Sequence, residues 1–132
     1  MSNKSMGNHF ETKFCEILSQ FGFWAHNFRQ DVSGQPADVI AAKRGKTYLI
    51  DCKVCSNDGF ALSRMEENQD LSMTLWEECG NGPAWFAVLC REQIYFFSHK
   101  TIQELQETKS VLRFEDFPKY GIPMGGWLDK CV

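Results

Sequence analysis

An α/β sandwich built around a mixed sheet is what this sequence predicts, and three observations predict it. Segments of helical period alternate along the chain with segments of strand period, and two strand-like runs meet at a two-residue turn. The 132 residues are 43% hydrophobic and include 11 Phe, 4 Trp and 3 Tyr, enough to bury a two-sided core as one domain spanning 1–132. Ten Gly and 4 Pro are scattered without repeat or low-complexity stretch, so no linker divides the chain.

The elements follow in order. Over residues 8–21, Phe10, Phe14, Ile17, Leu18 and Phe21 fall on one helical stripe, and Gly22 closes it as a left-handed terminator. Residues 23–30 are aromatic and alternating, which suits a strand, whereas 31–36 contain Ser33, Gly34 and Pro36 and read as a loop. Residues 37–43 and 46–54 form a hairpin around Arg44-Gly45, where Gly supplies the positive φ. A second helix is expected to open at Ser63, capped through the pattern Ser63-x-x-Glu66, and to run to about Cys79 before Gly80. Residues 84–91 make a buried strand, 93–98 pair with it, and Ser98 caps a short helix over 99–108. An edge strand is expected at 111–114. Beyond it, Phe117-Pro118, Gly121, Pro123 and Gly125-Gly126 predict an irregular tail.

Charge and sulfur narrow the setting. The formal net charge is −3. Residues 1–65 carry eight basic and six acidic side chains, however, and residues 66–132 carry six and eleven. If three of the N-terminal acids hold a metal, the first half becomes decidedly positive in use; otherwise the two halves are ordinary solvated faces. The longest unbroken apolar run is the seven residues 84–90, so neither a membrane span nor a membrane partner is expected. Cys15, Cys52, Cys55, Cys79, Cys90 and Cys131 are irregularly spaced in a chain with ample core, which predicts reduced thiols and a cytoplasmic protein.

Chemistry concentrates in residues 38–53. With Arg44 and Gly45 as the turn, Lys43 faces Lys46 and, further down the ladder, Asp38 faces Asp51. Lys53 shares a face with Asp51, while Ile50 and Cys52 take the other. Like charges directly opposite one another repel, so this pair calls for a bound cation. A hard divalent ion, Mg²⁺ or Mn²⁺, fits two carboxylates plus the backbone carbonyl of Cys52, with positions left for water and a substrate phosphate. Lys53 would then hold a water or a phosphate oxygen. The bland reading is an Asp/Lys ion pair on a solvated sheet face.

Other residues carry weaker signals. Gln69 falls on an inward stripe with Leu62, Met65, Ser72 and Trp76, so its amide finds either a backbone partner or the acidic patch. Glu11 lies in the first helix beside the apolar stripe, where Asn8-x-x-Glu11 also reads as a capping box. Lys43, Arg44 and Lys46 at the hairpin tip suit a phosphate contact or a solvated turn equally. Cys52-x-x-Cys55 lacks a second CxxC for zinc, and His9, His26 and His99 lack ligand spacing and read as incidental. Trp76, Trp85 and Phe86 read as core.

Taken together, Glu11, Pro36-Ala37-Asp38, Asp51-Cys52-Lys53 and Gln69 on a following helix resemble the PD-(D/E)xK nuclease superfamily. More narrowly, with Gly7 preceding Glu11 and Ser33 in the loop, residues 7–97 resemble Holliday junction resolvases of the archaeal and RecU types. The resemblance implies a restriction-endonuclease-like sandwich and a metal-dependent DNA endonuclease that resolves four-way junctions in recombination and repair. It implies that Asp38, Asp51 and Glu11 gather the metal, that Lys53 assists the attacking water, that Gln69 supports the site, and that Ser33 touches the scissile phosphate. Symmetric cutting of a junction needs two sites, which predicts a homodimer. The tight turn at Arg44-Gly45 leaves no room for the stalk of the RecU type. A related nuclease of structure-selective or restriction type, and a catalytically silent DNA-binding module, are the alternatives.

Overall fold

The computed structural model describes residues 3–28, 37–55 and 58–131, with side chains from His9 onward. Its elements in chain order are α1 (Asn3–Gln20), β1 (Trp24–Asn27), β2 (Val39–Lys43), β3 (Lys46–Val54), β4 (Gly59–Ala61), α2 (Glu67–Glu78), β5 (Trp85–Cys90), β6 (Gln93–Ser98), α3 (His99–Gln106), β7 (Val111–Arg113), α4 (Phe117–Tyr120), β8 (Ile122–Pro123) and α5 (Met124–Lys130). Six strands form one sheet in the order β1-β2-β3-β5-β6-β8, and β4 pairs with β7 in a second, two-stranded sheet. Among the described residues only β3 and β5 run parallel, and the other pairings are antiparallel. A parallel pair needs a long crossover, and here β4 and α2 occupy it.

Alternation along the strands divides the core in two. On one face Phe10, Phe14 and Leu18 of α1 pack with Val39, Ala41, Ile50, Cys52, Ala87, Phe96 and Trp127. On the other, Met73 of α2 and Ile102 and Leu105 of α3 pack with Leu49, Phe86, Val88 and Phe97. A sheet buried on both faces reads as a continuous apolar run, and residues 84–90 form one.

The hairpin is as expected. Arg44 has φ 52° and Gly45 φ 80°, two left-handed residues in succession, as a type I′ turn requires. Lys43 pairs with Lys46 and Val39 with Ile50, so one step further the register sets Asp38 opposite Asp51. Ser98 accepts a hydrogen bond from the Thr101 amide and caps α3.

Several expectations are corrected. Of the strand predicted over 23–30, the described part is regular over Trp24–Asn27, while residues 29–30 and the expected loop at 31–36, with Ser33, lie outside the described residues. Helix two does not begin at Ser63. Leu62–Arg64 is a 3₁₀ turn, and Glu66 is the N-cap of a helix that starts at Glu67. Leu62 and Met65 are both buried, and the tighter turn seats them before the α-helix starts. Val111–Arg113 is a strand as expected, but its partner Gly59–Ala61 was not foreseen. The tail is not irregular: α4, β8 and α5 follow one another, and α5 delivers Trp127 into the core, well past residue 97. Cys52 and Cys55 pack into opposite cores, so they cannot share an ion.

Candidate metal-dependent active site

Asp51 sits in the middle of β3 with 1% of its surface exposed. Its Oδ1 accepts a hydrogen bond of 3.0 Å from Gln69 Nε2. Its Oδ2 lies 2.9 Å from Lys53 Nζ. The buried Oδ2 thus meets the ammonium as an ion pair. Desolvation pushes the Asp51 carboxyl from 3.8 up to about 7, the Lys53 ammonium opposes the rise, and the Asp38 carboxylate adds to it.

Asp38 comes to the same face from the residue before β2. Its Oδ2 accepts the Cys52 amide at 2.8 Å, and its own amide donates to the Ile50 carbonyl at 3.2 Å. The amide that fixes Asp38 thus belongs to the residue between Asp51 and Lys53. Gln69 is held in turn, because its Oε1 accepts the Glu66 amide at 3.4 Å, within the capping box of α2. Both candidate partners for its amide, backbone and acidic patch, are therefore real.

Glu11 is buried on the α1 side of the sheet. Burial raises the Cys52 thiol well above its ordinary value, and Asp38, Asp51 and Glu11 all add to the rise. Glu11 thus stands in the electrostatic neighbourhood of the acid pair. Among the described residues, however, no three His, Cys, Asp or Glu side chains gather closely enough to hold an ion by themselves. The protein oxygens brought together are those of Asp38 and Asp51, with Lys53 and Gln69 beside them.

The donor set suits a hard cation. Two carboxylates face each other, that of Asp51 fully desolvated, and together they offer the hard oxygen donors such an ion takes. A cleft of about 440 Å³ lies at the other end of the hairpin, lined by Lys46, Tyr48, Asn81, Trp85, Trp127 and Lys130, and it contains none of these acids.

The tip cations stand apart from the acids. From Asp38 to Lys43 the chain climbs five residues, roughly 17 Å at strand rise, too far for the tip and the acid pair to touch one phosphate. Lys43 is folded back, with Nζ donating to the Phe21 carbonyl at 2.8 Å and lying 5.0 Å from the Phe23 ring centroid. Arg44 and Lys46 are exposed.

His99 is the residue the sequence reading missed. It is fully buried, with Nδ1 2.9 Å from Glu77 Oε1 and Nε2 2.6 Å from Asp70 Oδ1. Gln103 Nε2 also donates to Asp70 Oδ1, at 2.8 Å. Asp70 and Glu77 are seven residues apart on α2, two turns on one face, and that spacing is the signal that could have exposed the pair. The imidazole therefore clamps the helix that presents Gln69. Trp76 and Trp85 are partly buried against the two cores and Phe86 is fully buried, as the sequence suggested.

Comparison with known proteins follows this geometry. The family model for the archaeal Holliday junction resolvase (Hjc) matches residues 2–121. No curated protein matches significantly. Among solved structures, Hjc of Archaeoglobus fulgidus, a Holliday junction resolvase from an archaeal hyperthermophile, is similar with a TM-score of 0.70 at 21% identity. The similarity covers 92% of this chain and 99% of that one.

Proposed function

The chain belongs to the archaeal Holliday junction resolvase family, a family of DNA-cutting hydrolases, and from that premise we propose a divalent-metal-dependent endonuclease that resolves four-way DNA junctions. The observation that carries the reading is the facing Asp38–Asp51 pair, with the buried Asp51 carboxylate meeting the Lys53 ammonium at 2.9 Å. Mg²⁺ or Mn²⁺ would be held by both carboxylates and the Cys52 carbonyl, with Glu11 completing the acidic set from the α1 side. The bound cation supplies positive charge to the scissile phosphate and makes a water easier to deprotonate.

The chain's own groups do the rest. Lys53 holds the attacking water or a non-bridging phosphate oxygen, so its ammonium meets the charge that grows as the new P–O bond forms and the bond to the leaving sugar oxygen breaks. Gln69 fixes the rotation of Asp51, and the Cys52 amide fixes that of Asp38. Ser33 is assigned to the scissile phosphate and Arg44, Lys46 and Lys43 to more distant phosphates of the same arm. Two such sites in a homodimer would cut opposing strands symmetrically. Among the described residues no helix is long and apolar enough to cross a membrane, and a DNA substrate favours work in the cytoplasm.

The test offers a four-way junction, a linear duplex and a single strand to the purified protein with Mg²⁺, with Mn²⁺ or with EDTA. Paired, metal-dependent nicks on the junction support the proposal. Equal cutting of the linear duplex would reassign the protein to a less selective nuclease, and no cutting of any DNA would make it a binding module. Asp51→Asn should lower cleavage by at least about hundredfold, the scale of losing metal-site support, while junction binding by gel shift persists.

A further inference from the structure

The edge of the sheet beside the acid pair carries an aromatic stripe. Trp24 pairs with Ala42 and His26 with Ile40, and the Phe28 amide continues the ladder by donating to the Asp38 carbonyl at 2.8 Å. Side chains on paired residues share a face. Ala42 and Ile40 pair in turn with Thr47 and Leu49 of β3, so Trp24, His26 and Phe28 lie on the face that bears Asp38 and Asp51. Phe23 and Ala25 take the other face, in the core beneath α1. The three rings touch in series: Trp24 stacks on His26 at 6.2 Å and 19°, and His26 meets Phe28 edge-on at 5.9 Å.

This stripe is not core. Trp24 is 63% exposed and His26 is exposed as well, while Phe28 is half-buried. One end of the row adjoins Asp38, and the other, where Trp24 pairs with Ala42, lies two residues from the exposed Arg44 of the hairpin turn, while Lys43 takes the opposite face over Phe23. Exposed rings in line beside a cationic turn are the composition of a platform on which bases stack.

We propose that Trp24, His26 and Phe28 form a stacking platform for unpaired or unstacked nucleobases of the strand held at Asp38 and Asp51, and so contribute selectivity for branched over fully paired DNA. The proposal rests on the nuclease reading for its substrate class, and its occupant follows from continuity with the acid pair. A continuous duplex hides its base faces in the stack, so it offers the rings nothing. A branch point or an opened stretch exposes those faces at little cost in unstacking.

The test measures metal-free binding, in EDTA, of the full chain to an immobile four-way junction carrying 2-aminopurine at the branch point, and to a linear duplex, by anisotropy and by 2-aminopurine emission. Trp24→Ala should weaken junction binding roughly tenfold and relieve quenching of the probe, with duplex affinity changed less than about twofold. Trp24→Phe, which keeps a ring, should restore most of the affinity. His26→Ala serves as the second variant, and circular dichroism confirms that each variant folds. Wild-type affinity and quenching in folded Trp24→Ala and His26→Ala would overturn the proposal, as would conversion of a dimer to a monomer by Trp24→Ala in sedimentation, which would make the stripe a contact between copies. A wild-type protein that binds junctions through Trp24 yet cuts no DNA with Mg²⁺ or Mn²⁺ would overturn the nuclease reading alone. Cutting that survives with an indifferent stripe would overturn the platform alone, and failure to bind any DNA would overturn both.

Discussion

Burial and ionisation oppose each other at Asp51. In metal-free protein its carboxyl titrates near 7 instead of 3.8, so between those values the folded chain keeps a proton that the unfolded chain has released. Stability must therefore fall as pH rises through that window. Thermal unfolding in EDTA should show this slope in the wild type and not in Asp51→Asn, and Mg²⁺ added at about pH 8 should raise the melting temperature of the wild type only. An equal response of both proteins would remove Asp51 from the ion. Gln69→Ala withdraws the 3.0 Å donor to Asp51 without touching the substrate, and cleavage should drop about 10- to 100-fold in a folded protein. At this scale the sequence was legible where strand parity governs, because Asp38, Asp51 and Lys53 follow from counting outward from a turn. The placement of Glu11 depends on how α1 lies across the sheet, which no local pattern encodes.

Helix α2 shows why element boundaries are harder to read than element types. Ser63-x-x-Glu66 has the sequence pattern of a capping box, but Leu62 and Met65 are buried ahead of the helix and Glu66 caps it instead, paired with Gln69. The later start also gives Gln69 a fixed amide. Asp70, the next residue, turns to His99 while Gln69 faces Asp51, so one turn of helix links the acid pair to the far side of the core. His99→Ala would leave two carboxylates facing a cavity. A hydrogen bond to a charged group contributes about 1.5–3 kcal/mol, and with Asp70 and Glu77 36% and 29% exposed a loss of about 2–3 kcal/mol is expected in urea unfolding. A change below about 0.5 kcal/mol would mean that the clamp bears no strain and that α2 is fixed by Met73 alone.

For the molecule as a whole, the misreading of the tail is instructive. A seven-residue helix containing Gly125 and Gly126 has poor intrinsic propensity; it forms because Trp127 fills the second core. Its ring stacks on Phe96 at 4.0 Å and on Phe23 at 5.7 Å, with Tyr48 and Trp85 edge-on at 5.3 and 6.0 Å. Trp127→Ala should cost about 3–5 kcal/mol, read as a fall in the urea midpoint, and a neutral outcome would show that the sheet stands without its last helix. The β2–β3 hairpin carries a different lesson, about lineage. Asp38 and Asp51 are equidistant from Arg44-Gly45, so its two arms behave as a matched telescope. Indels that lengthen both arms equally slide the cationic tip outward while the carboxylates stay abreast, whereas an unmatched indel turns one of them to the opposite side. Reach toward a neighbouring DNA arm can therefore drift in evolution without disturbing the chemistry, but only in symmetric steps.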